Sequence, residues 1–197
     1  MTSTLVSQFE GLQTGTYVID PSHSEVGFTV RHLMSKVRGQ FREFEGTITV
    51  AADNPLESSA EATIELSSVD TRNSDRDNHL RSGDFFSVET SPKMTFRSTG
   101  VRSTGVRSDG GSLVATGELT IKDVTKPVEL ELDYLGAGSD PWGGSRVGFE
   151  GTTTISRKEW GVDFNIPLEG DKLMIGDKVN VVLAVEAVLQ TAETPEG

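Results

Sequence analysis

Cysteine is absent from all 197 residues. That excludes disulfide staples, a thiol nucleophile and any cysteine-held zinc. Long hydrophobic runs are absent as well. The most apolar stretch, Val179 to Leu189, is interrupted by Asn180 and Glu186, and nothing approaches the ~20 residues that a membrane-spanning helix needs. Positive charge is scarce: 18 Lys and Arg stand against 30 Asp and Glu, a formal net charge of −12. This balance opposes non-specific binding to nucleic acid or to an anionic membrane surface, since both need clustered cations. Neither a nucleic-acid partner nor stable membrane insertion is expected. The first ten residues lack the basic and apolar segments of a secretory leader, so the expected setting is soluble and cytoplasmic. Familiar catalytic signatures are also missing: there is no Gly-x-Ser-x-Gly elbow, no phosphate loop and no His-Glu-x-x-His.

What is present is alternation. Val26, Phe28, Val30 and His32 share one face, with Glu25, Gly27, Thr29 and Arg31 on the other. Ala60 to Leu66, Val128 to Tyr134 and Val179 to Leu189 repeat the pattern, and weaker versions run through Val37–Val50, Lys93–Val101, Leu113–Ile121 and Arg146–Ile155. A period of two with one apolar face marks half-buried strands. About eight of them, separated by turn signals at Asp53-Asn54-Pro55, Asp109-Gly110-Gly111, Gly136–Gly144 and Glu169-Gly170-Asp171, indicate an all-β antiparallel barrel or sandwich. The abundant glycine, 21 residues, fits many turns. Residues 1–14 and 191–197 read as flexible tails around one domain over 15–190. Arg97-Ser98-Thr99-Gly100-Val101 recurs as Arg102-Ser103-Thr104-Gly105-Val106. An odd period of five swaps faces at each copy, which a regular half-buried strand does not allow. A lengthened, solvated hairpin is expected there.

The one helix-compatible segment is Ser74–Arg81, with Asn73 or Ser74 as its cap, Asp75 and Asp77 in the first turn and Gly83 beyond its end. It opens a dense run, Arg76-Asp77-Asn78-His79-Leu80-Arg81-Ser82-Gly83-Asp84-Phe85-Phe86. Two readings fit: a charged surface turn whose phenylalanines plug the core, or the rim of a barrel pocket. Asp77 and Asp84 suit the orientation of Arg76, Arg81 or His79 by hydrogen bonds. His23, His32 and His79 match no metal-ligand spacing, so no metal and no resident cofactor are expected. Ser22-His23-Ser24 suits turn hydrogen bonding after Asp20-Pro21 better than catalysis.

In order along the chain, these residues resemble the YceI-like family of polyisoprenoid-binding proteins, from about Gly15 to Leu189. The resemblance rests on Tyr17-Val18-Ile19-Asp20-Pro21-Ser22-His23-Ser24, Phe28-Thr29-Val30-Arg31-His32, Val37-Arg38-Gly39-Gln40-Phe41, Ser68-Val69-Asp70-Thr71 and the Arg76–Phe86 run. It continues through Gly117-Glu118-Leu119-Thr120-Ile121-Lys122-Asp123-Val124-Thr125-Lys126-Pro127-Val128 and Ile155-Ser156-Arg157-Lys158-Glu159-Trp160-Gly161. Tyr17 stands where the family usually has Trp, and Trp160 where it commonly has Phe. The resemblance implies an eight-stranded lipocalin-like barrel with one short helix near its mouth. It implies non-catalytic binding, storage or transport of a long-chain amphiphilic lipid, such as a polyisoprenoid or an isoprenoid quinone. On that expectation Val26, Phe28, Val30, Phe41, Phe44, Met94, Phe96, Phe149 and Trp160 are the candidates for the bore. Arg76, His79, Arg81, Asp84, Phe85 and Phe86, with His32, are the candidates for the mouth. Two other functions are weighed against it: an enzyme using His79 or His32 with a carboxylate on a lipid-like substrate, and a stress-related interaction scaffold, with a homodimer as one form.

Overall fold

The computed structural model describes residues 9–191, apart from Asp53, Ser108, Asp109 and Asp171. Most of both expected tails, and part of three expected turns, lie outside the described residues. Eleven strand segments form one antiparallel sheet: β1 (Gly15–Ile19), β2 (Glu25–His32), β3 (Ser35–Phe41), β4 (Phe44–Val50), β5 (Ser59–Glu65), β6 (Val69–Asp70), β7 (Lys93–Arg107), β8 (Gly110–Ile121), β9 (Val124–Ser139), β10 (Ser145–Ser156) and β11 (Ile175–Leu189). They make eight staves, because three staves are each broken in two. β1 and β2 lie end to end along β11, with Ile19 opposite Ala187 and Glu25 opposite Ala184. β3 and β4 continue one another on their far side, as do β5 and β6. The pairing of β1 with β11 closes the ring. The result is the expected eight-stranded barrel, and closure removes the free edges that an open sheet would present.

The breaks have local causes. Pro21 has no N–H to give a ladder, and the Asp20 carboxylate accepts the Ser22 N–H at 2.9 Å, turning the chain between β1 and β2. Between β3 and β4, the Arg42 and Glu43 N–H groups leave the ladder for the Ser68 hydroxyl, at 3.1 and 3.0 Å.

The five-residue repeat does not stop β7, which runs on to Arg107. Its register against β8 slips between Ser98 and Gly100, and again between Ser103 and Gly105. Each copy thus carries one bulged threonine, so five residues on β7 face four on β8. The bulge converts the odd period into an even one and returns Val101 to the inner face after Phe96 and Ser98. The glycine-rich stretch read as a turn over 136–144 is strand through its first four residues, since β9 continues to Ser139, and the turn itself is confined to 140–144.

One end of the barrel is closed by Phe9, Tyr17, Val50, Leu113, Tyr134, Val147 and Ala187, with Leu12 packed against them. The loose tail expected over residues 1–14 therefore does not include residues 9–14. Phe9 is 5% exposed and meets Tyr134 edge-on at 5.4 Å. The Tyr134 hydroxyl donates to the Glu10 carbonyl at 2.7 Å, and the Tyr17 hydroxyl to that of Gln13 at 3.0 Å. At the other end lies a helix, α1 (Ser74–Arg81), capped by the Asn73 side chain, which accepts the Arg76 N–H at 2.9 Å. It packs through Leu80 on a second core of Phe41, Ile64, Leu66 and Val69. Among the described residues no helix is long and apolar enough to cross a membrane.

Candidate functional site

Between the two ends lies a cavity of about 450 Å³, within the range of small-molecule sites. Strand alternation builds its wall. β2 supplies Val26, Phe28, Val30 and His32, β8 supplies Leu113, Ala115, Leu119 and Ile121, and β11 supplies Val179, Val181, Leu183 and Val185. Each set is spaced by two or four residues, which keeps one apolar face inward.

Two glycines keep the bore open. Phe28 lies over Gly39 of β3, and Phe96 over Gly117 of β8. A Cβ at either glycine would overlap the neighbouring ring. Without that atom both rings lie against the wall instead of across the lumen.

Of the residues expected in the bore, Val26, Phe28, Val30, Phe41, Phe44, Met94, Phe96 and Phe149 line the cavity. Trp160 does not. Its indole is 1% exposed and donates from Nε1 to the Leu119 carbonyl at 3.0 Å, outside the lumen. Of those expected at the mouth, His32, Arg76, His79, Phe85 and Phe86 line the cavity, whereas Arg81 and Asp84 do not. Arg81 is spent on structure: its guanidinium donates to the carbonyls of Ser67 (2.7 Å) and Val69 (3.0 Å) and to the Asn78 side chain (3.0 Å). It ties α1 to β6. Asp84 turns outward to His79 Nε2 at 2.8 Å, and both side chains are about half exposed.

The opening run of the helix combines both readings of its phenylalanines. Phe85 forms a ring cluster with His79 and Phe164, centroids 5.0–5.2 Å apart. Phe86 packs on Phe41 at 5.9 Å. One is a stopper at the mouth and the other a piece of core. Asp77 orients neither arginine. It is buried and accepts the N–H and hydroxyl of Thr71, to which Arg76 also donates, from Nε at 2.7 Å and from Nη2 to its carbonyl at 2.8 Å.

Sequence reasoning missed Phe164, which sits in a loop without periodicity, and the cavity role of Arg157. Arg157 is 6% exposed. Nε donates to the Gly176 carbonyl at 3.0 Å, and Nη1 to those of Val162 (2.7 Å) and Phe164 (3.0 Å). Its Nη2 is buried without an acceptor among the described residues. Burial pulls the guanidinium pKa down from its ordinary value. His32, Arg76, His79 and Arg157 thus make the α1 end of the wall basic, while the remainder is overwhelmingly apolar.

Asp20, His23 and Glu186 converge on the outside of the barrel, at metal-ligand spacing. A guanidinium already serves the two carboxylates, and His23 Nδ1 lies 2.9 Å from Asp20. Arg146 Nη1 donates to Asp20 at 2.9 Å and to Glu186, and its Nε donates to Asp140 at 2.9 Å. Arg146, then His23, holds the Asp20 carboxyl far below the usual carboxylate range, and the three carboxylates push the Arg146 pKa up.

A family profile for the YceI-like domain matches residues 17–187. Protein YceI of Escherichia coli O157:H7 is 42% identical over 177 residues, covering 88% of this chain and 87% of that protein. A UPF0312 protein of Pseudomonas paraeruginosa is 39% identical over the same length and shares. Among solved structures, Burkholderia cenocepacia BcnA superposes with a TM-score of 0.72 at 21% identity, covering 85% of this chain and 98% of that one. A polyisoprenoid-binding domain from Saccharophagus degradans, implicated in plant cell wall breakdown, gives 0.66 at 15% identity, covering 90% and 100%. At those identities the likeness is one of fold.

Proposed function

The chain belongs to the YceI-like family, and on that premise we propose that its barrel holds the tail of one long-chain amphiphilic lipid, a polyisoprenoid or isoprenoid quinone, for storage or transport. The observation that carries this reading is the cavity: an apolar lumen of about 450 Å³ that turns basic only at the α1 end. A tail belongs in the lumen and an oxygen-bearing head beside His32, Arg76, His79 and Arg157. Arg157 Nη2 offers a buried donor to such an oxygen, and a charge-assisted bond of this kind is stronger than a neutral one.

The energetics suit a long guest. Burying a methylene is worth ~0.8 kcal/mol, and association costs roughly 4–15 kcal/mol. About twenty buried carbons exceed that cost, whereas a short chain does not. Apolar contact is non-directional, so the head, more than the tail, would set selectivity. The reading is non-covalent. The His79–Asp84 pair is the histidine–carboxylate couple at the mouth, and its carboxylate faces away from the lumen. The polyisoprenoid-binding fold of the Saccharophagus degradans domain supports the same direction.

The test is saturable binding of a polyprenyl phosphate to the intact chain, compared with a variant whose lumen is filled by Ala115→Phe and Val181→Phe. One site per barrel, lost in the folded filled variant, supports the reading. Equal binding by both proteins refutes it.

A further inference from the structure

At the α1 end of the barrel, large apolar side chains project into solvent from two adjacent tips. Leu33 and Met34, the turn between β2 and β3, are 43% and 102% exposed. Ile166, Leu168 and Leu173, in the loop before β11, are 43%, 36% and 37% exposed. The tips are joined, since the Leu33 N–H donates to the Met174 carbonyl at 2.8 Å. They are also continuous with the lumen: His32, Ile166 and Met174 line the cavity.

The turn is costly to the fold. Leu33 has a φ of 53°, a left-handed conformation that a branched, bulky side chain adopts with strain. A two-residue hairpin turn with positive φ at its first position alone is best served by Gly there, yet here it carries Leu-Met. Neither side chain belongs to either of the two buried cores, and Met34 is fully in solvent. Strain and exposed apolar surface at one spot point to a use outside the fold.

Charge identifies the occupant. The protein as a whole is strongly acidic, but Arg31, Lys36 and Arg38 flank this turn and are all exposed, with no acid between residues 31 and 42. Lys172 is exposed on the neighbouring loop, whose sequence also holds the acids Asp163, Glu169 and Asp171, so the cationic side of the tip is the β2–β3 turn. Apolar side chains at a tip with long cations behind them match a bilayer interface, in which the tip enters the acyl boundary and the cations meet anionic head groups.

We infer that the Leu33–Met34 turn, together with the exposed Ile166, Leu168 and Leu173, forms a nose that docks on a bilayer containing anionic lipid and sets the mouth of the barrel against it. This rests on the lipid-carrier reading for its purpose, though docking itself is measurable without any cargo. A guest tail would then pass between bilayer and lumen without crossing water.

The experiment is co-sedimentation of the intact chain with phosphatidylcholine vesicles, with and without phosphatidylglycerol. It compares wild type with the double substitution Leu33→Gly, Met34→Ser. That variant relieves the turn, so its Tm is expected to hold or rise. Its affinity for phosphatidylglycerol vesicles is expected to fall about tenfold or more, which is 1.4 kcal/mol or more. A wild type that ignores phosphatidylglycerol vesicles, or a folded variant that binds them equally well, overturns the inference and leaves the cavity reading intact. So does a nose that only joins two copies of the chain, seen as a change in solution mass without vesicle binding. Docking by wild type with no polyprenyl phosphate taken up would overturn the carrier reading and leave the nose.

Discussion

Two arginines show why residue type alone did not locate every contact. Arg81 and Arg157 both lie in motifs of mixed charge, and both spend most of their donors on backbone carbonyls. Backbone acceptors carry no sequence signal, so the sequence points to Arg81 as a mouth residue and to Arg157 only as one member of the Ile155-to-Gly161 motif. The planar fork matters for this work. Arg157→Lys is expected to lose about 1–3 kcal/mol of stability, the range for stranding buried carbonyls, measured by urea unfolding. Arg146 makes a different prediction. The Asp20 pKa is lowered in the fold, so its contribution is complete above the ordinary value of 3.8 and is lost as pH falls below it. Unfolding midpoints of the wild type should therefore drop through that acid range. In Arg146→Met the carboxylates lose their common partner, the midpoint at neutral pH should fall, and the acid slope should flatten. An unchanged slope would show that the network contributes nothing to acid stability.

Elements turn on two devices that period-two patterning hides. The first is glycine inside strands. Glycine abundance points to turns, yet Gly39 and Gly117 lie mid-strand beneath Phe28 and Phe96. Only three-dimensional register reveals the pairing, because Phe28 and Gly39 are partners across β2 and β3. Gly39→Ala should drive the Phe28 ring into the lumen, cost about 1–3 kcal/mol by overpacking and weaken tail binding. The double variant Phe28→Ala, Gly39→Ala should lose less than the sum of the two single losses, a non-additive result expected of touching residues. Additive losses by thermal melting would refute the stacking argument. The second device is the bulge in each Arg-Ser-Thr-Gly-Val copy. The odd period was legible, and so was its conflict with a regular strand, but the remedy was not. Deleting the bulged Thr99 should restore a regular ladder, with Gly100 and Val101 still opposite Thr116 and Ala115 and Val101 still facing the lumen. Amide exchange across Gly111–Gly117 should then hold or slow; faster exchange there would contradict the bulge.

For the molecule as a whole, the eight staves were legible because each one keeps an apolar face over five residues or more. The helix was legible from its cap, its acidic first turn and the glycine beyond it. The closing pair β1–β11 was not, since Gly15–Ile19 is short and interrupted at Asp20-Pro21. Nor was the plug made by Phe9 and Leu12, two apolar residues in an otherwise polar start. Openness of the interior could not be read from alternation, which is the same for a filled barrel and a hollow one. It comes from small residues and stacked rings at specific wall positions, and it is the feature on which the carrier reading stands. Native mass spectrometry of the purified chain tests it most directly. The account predicts a species heavier than the polypeptide by the mass of one lipid, removed by organic extraction and absent from the folded variant carrying Ala115→Phe and Val181→Phe. A wild-type barrel that keeps the bare polypeptide mass after incubation with polyprenyl phosphate would contradict it.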